Sequence, residues 1–158
     1  MKDNKPVIVA FMQNMWVKDP VKVQAMIDRH PDKWNWYVKA FLFSGCITGR
    51  RIKQAFGEEL ANSIIYEECT KEIADNPKTI CKPDLKHIEW ALARIQPKIV
   101  IIFGDIAQKA VGKAVNNMGY AAHFSFNAPH PAARQPDTMN KLKAAGDLLK
   151  TLIEARHE

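Results

Sequence analysis

The chain has 158 residues, with 23 Lys and Arg against 17 Asp and Glu, for a formal net charge of +6. That length supports one domain, taken as residues 1–158, with a sizeable core. No apolar run approaches a membrane span, and the charged opening Met1 to Lys5 leads into an apolar run too short for a signal peptide, so a soluble protein of the cytoplasm or another intracellular compartment, with no membrane partner, is expected.

The first strand is expected over 6–11, where Val7, Ile8 and Val9 form a short apolar run. A polar turn through Asn14 follows, and Asp19-Pro20 has the form of an N-cap and first helical residue, opening a helix toward His30. Pro31-Asp32 starts a second helical stretch rich in aromatics, broken at Ser44-Gly45 and Thr48-Gly49. A short helix over 50–56 then ends at Gly57. Residues 63–66 suggest a second strand, and 67–83 a long polar loop without a period. Leu85, Ile88, Leu92 and Ile95 stripe an amphipathic helix over 84–96 that Pro97 stops. The β-branched run over 98–103 is the clearest strand, and its continuity suits a parallel strand buried on both faces. Gly104-Asp105 opens a helix through Val115, 121–126 forms the fourth strand, and 137–156 the closing helix.

This alternation predicts an α/β fold: three layers, α/β/α, around a central four-stranded parallel sheet. In such sheets ligands bind beyond the carboxyl ends of the strands. Gln13-Asn14, Glu67-Glu68, Gly104-Asp105 and His130 all follow strands and can meet at one edge. His130 lies between Pro129 and Pro131, where each ring fixes its own φ and restricts the residue before it. Such a turn suits a side chain that must point one way.

The positive charge favours a polyanionic partner such as nucleic acid. Arg50, Arg51 and Lys53 follow a glycine turn, whereas Lys141, Lys143 and Lys150 read as the solvated face of the last helix. The three cysteines, Cys46, Cys69 and Cys81, contain no CxxC pair. Buried, inert thiols are expected, with no metal and no cofactor.

The ordered motifs resemble the uracil-DNA glycosylase superfamily across nearly the whole chain. Gln13-Asn14-Met15-Trp16 is similar to the motif after its first strand, and His130-Pro131-Ala132-Ala133-Arg134 to the one after its fourth. Residues 42–51 resemble the segment carrying a base-stacking aromatic, and 97–104 the third strand. The resemblance implies an enzyme acting on single- or double-stranded DNA, which takes a base out of the stack and cleaves its N-glycosidic bond; separately, a monomer is expected. It implies catalytic roles for Asn14, which orients water, and His130, which supports the departing base. An Asn amide does not titrate as a carboxylate does, so slow chemistry is expected. Gln13, Met15, Trp16, Phe43 and Glu68 become substrate-binding candidates, with Phe43 stacking on the base. Ser44, Arg50, Arg51, Pro131 and Arg134 become nucleic-acid-binding candidates.

Two departures shape the expectation. Glu68 stands where many relatives place an Asn that reads uracil. An ionised carboxylate only accepts hydrogen bonds and favours an exocyclic amine, whereas one kept protonated by burial can read uracil. The plain alternative is that Glu67 and Glu68 are solvated loop charges. Met12 and Met15 replace small or rigid motif residues. Two main functions therefore stand: a glycosylase for an unusual or modified base, and a nucleic-acid-binding protein that kept the fold and lost the reaction. A transferase or hydrolase acting on free nucleotides is a third.

Overall fold

The computed structural model describes residues 5–155. Four parallel strands form the central sheet: β1 (Ile8–Met12), β3 (Ile65–Glu68), β5 (Ile99–Phe103) and β6 (Phe124–Ala128), in spatial order β3-β1-β5-β6. A small parallel pair, β2 (Met15–Trp16) with β4 (Ile73–Ala74), stands beside it. The helices are α1 (Pro20–Arg29), α2 (Trp34–Leu42), α3 (Ile47–Phe56), α4 (Glu58–Asn62), α5 (Leu85–Ile95), α6 (Asp105–Met118) and α7 (Thr138–Ala155). One 3₁₀ turn, Pro31–Lys33, precedes α2.

Strand alternation divides the core. Ile8, Ala10, Met12, Tyr66, Ile99, Ile101 and Phe103 bury one sheet face among side chains of α1, α2, α3 and α7. Val9, Phe11, Val100 and Ile102 bury the other against α5 and α6. The α/β/α layering and the four-stranded parallel sheet follow directly, since β1 and β5 are apolar on both faces.

Element bounds differ from the sequence reading where tertiary pairing overrides local pattern. The second strand runs Ile65–Glu68 instead of 63–66, because its register sets Phe11 against Glu67 and Met12 against Glu68. Both carboxylates are therefore strand residues and buried, not solvated loop charges. The expected loop over 67–83 also contains β4, recruited by pairing with Met15 and Trp16. The fourth strand is Phe124–Ala128 instead of 121–126, since β5 pairs Ile99 with Phe124 through Phe103 with Ala128. The first helix starts at Pro20, with the Asp19 side chain accepting from the Lys22 N–H. Helix α6 continues to Met118 and stops where Gly119 turns left-handed. The expected end of the last helix at Arg156 lies outside the described residues, as do Met1 to Asn4. Lys141, Lys143 and Lys150 are exposed on α7.

The third helix starts at Ile47, which places Gly49 inside it instead of at a break. A Cβ there would lie 2.0 Å from the Leu42 carbonyl oxygen. Only glycine lets α3 cross the end of α2 this closely. No described helix is long and apolar enough to cross a membrane.

Candidate functional site at the carboxyl edge of the sheet

A cleft of about 360 Å³ opens beyond the carboxyl ends of β1 and β3. That volume lies in the range of small-molecule pockets. Asn14, Met15, Trp16, Ser44, Glu68 and His130 all line it, so residues from opposite ends of the chain converge on one cavity. Its apolar wall includes Val38, Phe41 and Leu42, spaced on one face of α2.

His130 sits on a tight turn. The Ala133 N–H donates to the His130 carbonyl at 2.9 Å, with Pro131 in the second position. The Ala132 N–H donates to His130 Nδ1 at 3.1 Å. Nδ1 is therefore an acceptor, and the neutral ring carries its proton on Nε2. Burial holds the imidazole below its ordinary value of 6.5, which favours the neutral ring. Gly104 makes room for it. This residue has φ +88°, and an added Cβ would stand 3.2 Å from His130 Cβ.

Glu68 and Glu67 are adjacent but opposite in environment. Glu67, on the α5 face, is fully buried and richly bonded. Its Oε1 accepts from Trp34 Nε1 at 2.6 Å and from the Glu68 N–H at 2.9 Å, and lies 2.8 Å from His87 Nε2. Its Oε2 accepts from Asn35 Nδ2 at 2.9 Å, while Arg94 stands 3.8 Å away and donates to Asn35 Oδ1. Glu68 lines the cleft, and its Oε2 is buried with no hydrogen-bond partner among the described residues. Burial and, second, the Glu67 charge push the Glu68 carboxyl well above its ordinary range, toward the protonated form.

Asn14 holds the wall together as well as lining it. Its Oδ1 accepts from the Cys81 N–H at 2.9 Å, and its Nδ2 donates to the Met15 and Thr79 carbonyls, each at 3.3 Å. One Oδ1 lone pair remains for a water.

Several sequence candidates lie elsewhere. Phe43 does not line the cleft: its ring packs edge-on against Tyr66 at 5.2 Å, with Lys53 Nζ 4.8 Å from its centroid. Phe43 follows the end of α2, so it turns away from the face that carries Val38, Phe41 and Leu42. Phe41 is the α2 aromatic at the cavity, and the i, i+3, i+4 spacing of that stripe was the signal that could have found it. Arg51 is half-buried and donates from Nη1 to the Pro131 and Ala133 carbonyls at 2.8 and 2.9 Å, an internal use of a group expected to meet phosphate. Gln13 is half-buried, and its carbonyl accepts from the Cys69 N–H. Pro131 is buried, whereas Arg50 and Arg134 are exposed.

Lys18 and Thr48 line the cleft and were missed, as was Cys46, which is half-buried there instead of sealed in the core. Cys69 and Cys81 are buried, and burial raises both thiols above their usual range. Among the described residues no cluster of three or more His, Cys, Asp or Glu could hold a metal. The chain matches no model of a known protein family, and no curated protein is significantly similar to it.

Proposed function

We propose that the chain is a DNA glycosylase-like hydrolase that cleaves the N-glycosidic bond of a flipped, unusual or modified base. The observation that carries this reading is the convergence of Asn14, Glu68 and His130 on one largely apolar cleft at the carboxyl edge of a parallel sheet. It agrees with the motif order that resembles the uracil-DNA glycosylase superfamily.

The chemistry follows from the three side chains. Cleavage develops negative charge on the departing base. A neutral imidazole with its proton on Nε2 can donate to that charge without giving up the proton, and a donor preorganised in a dry site is worth about 10²–10³ in rate. The free lone pair of Asn14 Oδ1 orients the attacking water but does not deprotonate it. Glu68, held protonated, offers one O–H donor and one carbonyl acceptor side by side. That pair matches a ring edge carrying N–H next to C=O, whereas an ionised Glu68 would have matched an exocyclic amine. Trp16, 40 % exposed at the rim, and Phe41 supply flat surfaces against which a base can pack. The net charge of +6 and exposed Arg50 suit a DNA backbone, bound by a monomer.

The test is a panel of single- and double-stranded oligonucleotides carrying uracil, cytosine, hypoxanthine and modified pyrimidines, assayed for abasic sites. Release of a base with an N–H/C=O edge is expected, slowed by about 10²-fold or more in His130→Ala. No release from any substrate would refute the reading.

One observation favours a second reading, a DNA-binding protein without the reaction. The Asn14 amide is engaged on both sides by Met15, Thr79 and Cys81, as a structural clamp would be. That reading predicts tight, salt-dependent binding with no abasic product.

A further inference from the structure

The peptide joining Pro131 to Ala132 is bonded at both ends. Its carbonyl accepts from Arg51 Nη1 at 2.8 Å, and its N–H donates to His130 Nδ1 at 3.1 Å. The bond is trans, so the two groups point in opposite directions. This is also the central peptide of the turn closed by the Ala133 N–H on the His130 carbonyl. Flipping it is what interconverts type I and type II turns.

A flip would withdraw the N–H from His130 and offer a carbonyl in its place. A type II turn would also require positive φ at Ala132, and among the described residues Gln96 is the one non-glycine with positive φ. Pro131 is buried, so its carbonyl needs an internal donor. Arg51 supplies it from α3, eighty residues away in sequence. The same Nη1 holds the Ala133 carbonyl at 2.9 Å, which fixes the far side of the turn.

We propose that Arg51 is the positioning residue for His130: by holding the Pro131 carbonyl it locks the one peptide whose N–H selects the imidazole tautomer, leaving the proton on Nε2. Arg51 does not line the cleft and acts through the turn. The inference rests on reading His130 as the donor of the cleft, but its test needs no turnover.

The test is a long-range ¹H–¹⁵N spectrum of the His130 ring, recorded on the full chain at a pH where the ring is neutral. In the unaltered protein Nδ1 should show the shift of an unprotonated, hydrogen-bonded nitrogen and Nε2 that of a protonated one. In Arg51→Ala the two shifts should move toward each other as the tautomers mix, with a circular dichroism spectrum unchanged. Arg51→Gln, which keeps an uncharged donor on a shorter stem, should show the same convergence and serves where Arg51→Ala does not fold. A folded variant that keeps the wild-type ring pattern overturns the proposal. So does an unaltered protein whose ring carries its proton on Nδ1. Failure of the oligonucleotide panel would refute the glycosylase reading and leave the ring spectrum to be judged separately.

Discussion

Replacing Glu68 by Gln probes the electrostatics of the cleft through stability alone. In the folded protein burial, reinforced by the Glu67 charge, holds the Glu68 carboxyl well above its ordinary value of 4.5, to which it returns on unfolding. The folded state then keeps a proton that the unfolded state has released. The stabilisation from that proton is fully present below about pH 4.5 and is lost as pH rises toward the folded value. With one proton of difference the loss runs at about 1.4 kcal/mol per pH unit. For a chain of this size about 1 kcal/mol moves Tm by about 2–4 °C. Between about pH 5 and pH 6 the wild-type protein should therefore fall by about 3–5 °C relative to Glu68→Gln. The lowered His130 ring acts with the opposite sign, removing stability as pH falls below 6.5. It is common to both proteins and cancels in the difference. Thermal unfolding followed by circular dichroism, with urea midpoints as a cross-check, measures the effect. Parallel pH profiles would refute the assignment of a buried, protonated Glu68. Because Gln keeps one donor and one acceptor, base release from an N–H/C=O edge should survive the change.

His130→Ala should lower base release by about 10²-fold or more while binding to the abasic product changes little, since that product lacks the base; equal losses in both assays would refute a role in the chemical step. Asn14→Ala should cost about 1–3 kcal/mol in urea unfolding, because the Cys81 N–H loses its acceptor at the cavity wall, and an unchanged midpoint would show the clamp to be dispensable. Gly49→Ala should destabilise by about 3 kcal/mol, since the new methyl meets the Leu42 carbonyl oxygen and must push α2 from α3; a normal Tm would contradict that close crossing. Arg50→Ala should reduce the salt slope of DNA binding by about one unit, uniformly across sequences, and an unaltered slope would remove Arg50 from the interface.

What local pattern could and could not disclose divides along one physical line. The run Ile99 to Ile102 and the alternation of strands and helices depend on neighbours in sequence, so the sheet and its layers were readable. The convergence of Asn14 and His130 followed from topology, because every parallel strand delivers its successor to the same edge. Glu67 and Glu68 look like solvent-facing charges in any local window. The burial of Glu67 depends on Trp34 and His87, 33 and 20 residues away, and that of Glu68 on its pairing opposite Met12, none of which a period reveals. Arg51 beside a glycine turn has the look of a phosphate ligand, yet its partners lie on the His130 turn. Phe43 was misplaced because an apolar run does not show where a helix ends, and one residue past the end of α2 the side chain leaves the cavity face.

The clamp made by Asn14 has a consequence for how the protein acquires its site. Its bonds to Thr79 and Cys81 span 65 and 67 residues of chain. Each closes a loop whose entropy must be overcome before the contact contributes, and such long-range closures are slow relative to local helix formation. Neither helix α2 alone nor β1 with its following turn can assemble the wall. The cleft therefore needs these non-local contacts in place, so a chain that has formed only its local helices has no pocket, and ligand protection in a refolding experiment should appear after helix formation.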